Sequence, residues 1–449
     1  MAHPETNNTL GTLPTEVLLF IVNNLSQHDI CSLCRTSQKI QYRVQPSLYT
    51  KIHFNPLREL ILLPLIKLLK ILIKRPHLGL LVQDITLTHG SKASMFRRPN
   101  YNTKALQHFI KELRLPFQDT WLRDVENQTT DSIVAMLLVL CPNLSSLAAD
   151  HLYIDEPRIF GMLVRHLVQP QTDNPKSLLR NLRSLALTPH LDQFPEDEPN
   201  TDAMLPLFYI STLRHIKFTV DSPPQFTWPL SSPPTLENLT SMHLSRLREV
   251  QLGEVLACTK NLQSLTWNWV FDGGEEHVWM VNNGIFDLDR LGLALEHVRD
   301  SLVDLKLTAD EANFFSSYAD IEIQGSLKAL ARFPKLRSLH ALYHFLLNQS
   351  PERYTDELHS ILPQSLHHLT MSDEFSYGEG WEEQAQSDVI QKWWSHHLDC
   401  TPELRSLTIH ATDKTYKWII PGYALFQLGS QHGIDVQIDR KREKKERYE

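Results

Sequence analysis

The sequence predicts an α+β protein of more than one domain, in which a small three-helix module precedes a long, irregular α/β solenoid. Residues 10–54 carry apolar residues at helical spacing between helix-start signals, which is typical of a short helical unit. From about residue 82 onward a short leucine phrase keeps returning, which is typical of a repeat architecture. The chain has 449 residues, 42% apolar and 21% charged, so it has room for both parts and is globular rather than disordered.

The first helix of the module is predicted to begin at Pro14, because proline at a helix start needs no backbone N–H donor. Glu16 follows in the first turn, where a carboxylate suits the helix dipole. Apolar residues then recur at steps of three and four and form one stripe: Val17, Leu18, Ile21, Val22 and Leu25. A second helix is expected from Asp29 to about Gln38, and a short third helix at residues 39–45. About 45 residues build too small a core to bury the whole stripe, so the stripe predicts a partner surface.

One ordered set of residues runs through the whole module. It consists of Leu-Pro-x-Glu-Val-Leu-x-x-Ile at 13 to 21, Leu25, Asp29-Ile30, Leu33, Thr36-Ser37 and Pro-x-Leu-Tyr at 46 to 49. This order and spacing resemble an F-box, and the resemblance implies docking onto a Skp-type adaptor of a cullin-RING ubiquitin ligase. Carried over by position, the residues that would form or support the adaptor surface are Leu13, Pro14, Glu16, Leu18, Ile21, Leu25, Ile30 and Leu33. The alternative is an ordinary helical hairpin packed on its own protein.

Residues 55–80 are predicted to form a helical connector with two different faces. Its apolar face holds Leu65, Leu68, Leu69 and Leu72, and its basic face holds Lys67, Lys70 and Lys74. The lysines argue against a membrane span, and the helix is expected either to lie on a membrane surface or, the favoured interpretation, to pack on the next domain. Residues 73–87 also resemble the connector that follows many fungal F-boxes.

The repeated phrase is a leucine, two residues, an apolar residue, one further residue and a second apolar residue. Its nine copies begin at Leu144, Leu182, Leu213, Leu239, Leu262, Leu302, Leu336, Leu366 and Leu404. Residues 82–87, in which valine stands in the place of the first leucine, are interpreted as an opening copy. Each copy predicts a short strand with one buried face, and helical patterns such as 246–258 and 286–298 stand between copies. Together they predict a leucine-rich-repeat solenoid over residues 81–438, an irregular arc because the copies are unevenly spaced. The alternative is an unrelated α/β domain with leucine-rich strands.

Five segments depart from these patterns. Residues 1–9 are expected to be disordered and show no secretory signal. Residues 91–131 are polar and weakly patterned, which indicates an insertion. Residues 221–234, with five prolines, are expected to form a surface loop, and 373–388 an acidic loop. Residues 439–449 form a charged tail, interpreted either as a nuclear-import patch or, the favoured reading, as a solvated terminus.

The composition of the chain bears on which classes of partner it binds and on its location in the cell. A net charge of -8 with a pI near 6.3 argues against general nucleic-acid binding, which usually needs a basic field. Five cysteines, an odd number in a long chain, are expected to be reduced thiols. The predicted location is therefore cytoplasmic, nuclear or both, with no membrane partner.

Motifs that carry catalytic chemistry are missing from the sequence. It contains no glycine-rich phosphate loop, no His-Glu-x-x-His pair and no Gly-x-Ser-x-Gly elbow. His28, Cys31 and Cys34 stand three residues apart, but a tetrahedral zinc site needs further ligands and no second cysteine pair follows. The sequence thus predicts a protein that is not an enzyme and binds neither a cofactor nor a metal.

Histidines recur in the predicted strands at positions that should face away from the core. They are His215, His243, His340, His368 and His410. Our hypothesis is that they form one column that lines a substrate groove, because imidazole can donate, accept or stack. A plain solvated face explains the pattern about as well.

The sequence as a whole therefore predicts the substrate-recognition subunit of an SCF-type cullin-RING ubiquitin ligase. The F-box would bind the adaptor and the arc would hold a protein substrate. The first alternative is a non-catalytic binding scaffold whose F-box-like module acts outside a ubiquitin ligase, and the second is a repeat-containing enzyme.

Overall fold

The structure, a computed structural model of the chain, divides into two compact units, Met1–His190 and Leu191–Glu449. The residues it describes are 10–55, 62–88, 101–154, 157–169, 178–188, 199–271, 285–311, 322–348, 358–372, 389–390, 392–411 and 423–440. The predicted disordered segment 1–9, the acidic loop 373–388 and residues 441–449 of the charged tail lie outside these ranges. The sequence-based limits of the F-box, connector and repeat domain stay predictions.

The first unit begins with three helices, as the sequence predicts. A 3₁₀ turn at Leu10–Thr12 precedes α1 (Thr15–Val22), α2 (Gln27–Cys34) and α3 (Gln38–Thr50). The prediction of a short third helix at 39–45 is wrong, because α3 runs on through Pro46. Proline removes one backbone donor, but Val44 and Leu48 on either side of it pack into the module core. Their burial holds the last turns in the helix.

Four parallel strands follow in the same unit, and the first of them begins where α3 ends. They are β1 (Lys51–Phe54), β2 (Asp84–Leu87), β3 (Ser146–Asp150) and β4 (Ser184–Thr188). The register aligns Ile52, Ile85, Leu147 and Leu185, all of which are buried. Strands β2 to β4 were predicted from the leucine phrases, whereas β1 lies within the predicted F-box limits and carries no such phrase.

Helices fill the connections of this sheet. They are α4 (Leu62–Lys74), α5 (Pro76–Gly79), α6 (Lys104–Leu113), α7 (Gln118–Glu126), α8 (Thr130–Leu140) and α9 (Arg158–Val168). The predicted leucine face of α4 is buried, and the helix packs on α6 and α8. The packing interpretation of the connector is therefore confirmed.

The segment 91–131 is not a simple insertion, because its described part, 101–131, contains α6, α7 and the start of α8. Helix α8 buries nine of its eleven residues, among them Asp131 and Ser132. A helix buried on nearly every side shows no apolar stripe, so periodicity alone does not reveal α8. No helix in the described part of the chain is both long and apolar enough to span a membrane.

The second unit contains eight parallel strands in one order along the sheet. They are β5 (His215–Thr219), β6 (Ser241–Ser245), β7 (Ser264–Phe271), β9 (Asp304–Glu311), β11 (Ser338–Leu342), β12 (His368–Ser372), β13 (Ser406–Ala411) and β14 (Asp435–Arg440). Two short strands, β8 (Ile285–Asp287) and β10 (Glu322–Gln324), form a separate parallel pair. Its helices are α10 (Thr201–Met204), α11 (Glu249–Leu256), α12 (Leu288–Glu296), α13 (Tyr343–Leu347), α14 (Leu358–Ile361), α15 (His397–Cys400) and α16 (Tyr423–His432), with 3₁₀ turns at Leu205–Tyr209 and Lys328–Arg332.

The apolar positions of the leucine phrases line up across this sheet. One row of the register holds Ile216, Met242, Leu265, Leu305, Leu339, Leu369, Leu407 and Val436, all buried. The predicted helices at 246–258 and 286–298 are present as α11 and α12. The parallel strands and the intervening helices are thus confirmed, while the leucine-rich-repeat solenoid itself stays a prediction.

The proline-rich segment 221–234 contains no helix or strand, as predicted, but its first residues are buried. The Asp221 carboxylate accepts a hydrogen bond from Arg246 Nη1 at 3.3 Å, and both side chains are buried. Arg246 has a φ of 69°, in the left-handed region. The Ser222 hydroxyl accepts from the Arg248 amide and donates to the Arg246 carbonyl. This buried ion pair therefore fixes the loop against the end of β6.

Candidate functional site

The three-helix module has its own small core. Its buried members are Leu18, Val22, Ile30, Ile40 and Val44, with Leu25, Leu33, Cys34 and Leu48 packed against them. Two serines begin the helices around this core: Ser26 Oγ accepts from the Asp29 amide and Ser37 Oγ accepts from the Ile40 amide, both at 3.2 Å. These caps satisfy amides that have no partner within the helix.

Arg43 on α3 holds the segment that leads into α1. Its Nη2 donates to the Leu13 carbonyl at 2.6 Å and to Thr15 Oγ1 at 3.2 Å, and its Nη1 donates to the Gly11 carbonyl at 3.2 Å. One guanidinium fork therefore orders the Leu13-Pro14 turn from about 30 residues away, a distance along the chain at which helical periodicity carries no signal. Arg43 was therefore not among the predicted site residues.

The module leaves large apolar side chains in contact with solvent. Phe20 is 73% exposed and Val17 is 44% exposed, one turn apart on α1; Leu10 is 44% and Tyr42 is 84% exposed. Helix α1 is apolar on nearly every side, so a core on one side of it cannot bury all of these residues. Adjacent exposed apolar side chains such as Val17 and Phe20 are typical of an interaction site. Phe20 and Tyr42 were not among the predicted site residues, because the positions carried over from the F-box resemblance do not include them.

The predicted adaptor-binding residues fall into three groups. Leu18 and Ile30 lie in the module core, so they can support the predicted adaptor-binding surface only indirectly, through the packing of the helices. Pro14 and Glu16 are exposed at the start of α1. The half-buried members are Leu13, Ile21, Leu25 and Leu33. A change at Leu18 or Ile30 would therefore test folding, whereas a change at an exposed position tests binding.

Titratable groups of the module sit at the start and the end of α2. The hydrogen bond from the Ser26 hydroxyl, at 2.6 Å, lowers the pKa of Asp29. Burial, followed by the neighbouring Cys31, raises the pKa of the Cys34 thiol. A raised pKa keeps the thiol protonated, which disfavours metal binding. In the ranges that the structure describes, no group of three or more His, Cys, Asp or Glu residues is placed to hold a metal ion.

The five histidines share one face of the second unit's sheet but do not form one column. By strand register they lie in three rows, with His215 and His368 in the first, His243 and His340 in the middle, and His410 in the third. The His340 and His410 rings are 5.8 Å apart, and His368 Nδ1 lies 2.8 Å from Ser406 Oγ. The histidines are therefore too scattered for a single imidazole ladder.

The middle row is the most basic of the three. It is Lys217, His243, Thr266, Lys306, His340, Thr370, Thr408 and Gln437. Burial, followed by Lys217 and Lys306, lowers the pKa of His243 to about 4. The imidazole is then neutral at neutral pH and can donate one hydrogen bond and accept another.

Comparison with known proteins bears on the N-terminal module alone. A family model described as F-box-like matches residues 10–55, which is the three-helix module together with β1. The comparison with curated proteins found no match to the chain. Together with the helices, caps and exposed apolar surface described above, the family match identifies residues 10–55 as an F-box-like domain.

Proposed function

We propose that this protein is the substrate-recognition subunit of an SCF-type cullin-RING ubiquitin ligase. The observation that carries the proposal is the F-box-like domain at residues 10–55, because F-box domains bind Skp-type adaptors. Ubiquitin transfer is then the work of partner subunits, and this chain needs neither a catalytic residue nor a cofactor. The contribution of this chain is to raise the effective concentration of the substrate, because it holds the substrate near the enzyme that carries ubiquitin.

The docking contact we propose is apolar and centred on α1. Phe20 and Val17 present adjacent side chains to solvent, and Leu10 adds apolar surface next to the ordered Leu13-Pro14 turn. Burial of one large apolar side chain stabilises a complex by about 1.5–3 kcal/mol. Glu16 and Pro14, both exposed at the start of the same helix, complete the predicted surface.

The second part of the proposal is that residues 81–438 form an irregular leucine-rich-repeat arc that holds the substrate protein. The in-register parallel strands and the helices between them support it. A sheet with one apolar and one polar face buries the first in the core and leaves the second available for a partner. The five free cysteines agree with a cytoplasmic or nuclear location, which is also part of the proposal.

The test is co-purification of the full chain with a Skp-type adaptor. We expect wild type to retain the adaptor, and Phe20→Asp and Leu13→Ala/Pro14→Ala to lose it. Leu293→Asp is the matched control, because Leu293 is 69% exposed on α12 in the other unit. Circular dichroism checks that each variant folds. A folded wild type that does not bind the adaptor would remove the ligase proposal and leave the scaffold alternative.

A further inference from the structure

The polar face of the second unit's sheet carries a long row of side chains without a carboxylate. This is the middle row, which crosses eight strands and spans about 33 Å at the usual separation of neighbouring strands. Its two formally charged members, Lys217 and Lys306, are both exposed. The other members are histidines, threonines and one glutamine, so the row has a positive potential that no acid within the row cancels.

The two lysines have a defined separation. Lys217 on β5 and Lys306 on β9 are three strand spacings apart, about 14 Å, with His243 and Thr266 at the positions between them. Burial, and after it the charges of Lys217 and Lys306, lower the pKa of His243, which lies between the two lysines. Two anionic groups held about 14 Å apart over the interval would each meet one ammonium group, with a neutral imidazole between them.

Short side chains flank this interval on the side of the first row and leave room there for a main chain. Ser241 and Ser264 occupy this row on β6 and β7 and are half-buried, whereas Ser245 and Asn268 in the third row are buried. The hydroxyl groups of the first row can donate to peptide carbonyls or accept from peptide amides. Among the side chains that the structure describes on this face of β5, β6, β7 and β9, one exposed carboxylate is present. It belongs to Asp304, which lies in the first row two residues before Lys306.

We propose that the interval between Lys217 and Lys306 binds an extended acidic segment of a protein partner, laid across β5, β6, β7 and β9. An extended chain advances about 3.4 Å per residue, so two carboxylates four positions apart span about 14 Å and point to the same side. The inference rests on the proposed function, because it names the chemistry of the segment that the ligase captures. A protein segment fits better than a nucleic acid, since the chain has a net charge of -8 and the row has two lysines.

The experiment is a fluorescence-anisotropy titration of the full chain with two labelled synthetic peptides. Both contain two glutamates in a serine and threonine background, and they differ only in whether the glutamates are four or two positions apart. We expect wild type to bind the four-position peptide at least fivefold more tightly. Lys217→Gln/Lys306→Gln should weaken that binding at least tenfold. The control Lys260→Gln/Lys335→Gln makes the same charge change at exposed lysines outside the strands and should stay within twofold of wild type.

A third variant separates electrostatic attraction from a structural effect. Asp304→Asn removes an exposed carboxylate beside Lys306, so it should tighten the binding of the four-position peptide, and raising the salt concentration should weaken it. Equal binding of the two peptides, unchanged binding by the double lysine variant, or no binding by wild type would each overturn the proposal. Adaptor co-purification on the same samples is an independent readout, so loss of the ligase function and loss of the peptide site are distinguishable.

Discussion

Replacing Arg43 by methionine tests whether one long-range hydrogen-bond fork shapes the docking surface. Arg43→Met keeps most of the aliphatic stem and removes the three donated bonds to Gly11, Leu13 and Thr15. A hydrogen bond that involves a charged group contributes about 1.5–3 kcal/mol, and a buried partner left unsatisfied costs about 1–3 kcal/mol. Arg43 is half-buried, and water can reach the released carbonyls, so we expect a total loss of about 1–2 kcal/mol in the stability of the module.

Hydrogen exchange measures this loss where it occurs. A loss of 1–2 kcal/mol corresponds to a factor of about 5–30 in the local opening equilibrium. We therefore expect the Leu18 and Val22 amides of α1 to exchange faster by that factor in Arg43→Met. Adaptor affinity should also fall, because the Leu13-Pro14 turn is no longer ordered before binding. Phe20→Ala should separate the two readouts, with weaker adaptor binding but unchanged exchange.

Arg35→Met is the matched control, because Arg35 is an exposed arginine at the end of α2 in the same module. It makes the same change of charge and should leave both exchange and affinity as in wild type. The reasoning is refuted if Arg43→Met exchanges within twofold of wild type, or if Arg35→Met behaves like Arg43→Met. Either result would mean that the fork to the three acceptors does not hold the turn.

Three further predictions concern stability. Burial raises the pKa of Asp131 to about 8, above its unfolded value, so the folded state holds this proton more tightly. The stability that this proton contributes is complete in acid and is lost as the pH rises toward 8, so the unfolding free energy of wild type should decline between pH 5 and 8. Asp131→Asn can still accept from the amide of Ile159 and should remove part of that decline. Arg246→Met leaves the buried Asp221 carboxylate without its cation and should lower the unfolding free energy by about 3–5 kcal/mol in urea titrations, whereas the exposed Arg290→Met should cost under about 1 kcal/mol. Gly79→Ala should lower the melting temperature of the first unit, because a Cβ there would overlap the carbonyl oxygen of Leu140; an unchanged melting curve would show that α5 can shift away.

Features with a local period were predictable from the sequence. Strands β2 to β7, β9 and β11 to β13 follow from residues that alternate in the leucine phrases, and α1 follows from its stripe and from proline at its start. Strands β1, β8, β10 and β14 contain no such phrase and were not predicted. The F-box resemblance likewise depends on short spacings. Helix α8 was missed because burial on nearly all sides leaves no stripe, and the end of α3 was misplaced because core packing around Pro46 outweighs the loss of one donor.

Features that depend on contacts between distant residues were not predictable. Arg43 reaches carbonyls about 30 residues earlier, and nothing in the local sequence pairs them. The histidines stand two, four or six residues after the first leucine of their phrases, and phrases that pair in register therefore place them in three rows. The register of the pairing depends on which residues meet between strands, and it is visible only in the folded chain.

Helix α3 ends at Thr50 and β1 begins at Lys51, without an intervening loop. The Gln83 amide donates to the Thr50 carbonyl, and Gln27 Nε2 donates to the Lys51 carbonyl, so both sides of the junction are tied down. A hinge cannot operate at such a joint. A protein held by α1 is therefore held at a fixed orientation to the first strands of the sheet, and an insertion after Thr50 would change that orientation before it changed the stability of either part. A rotation of the three-helix module would therefore also rotate β1, the first strand of the sheet.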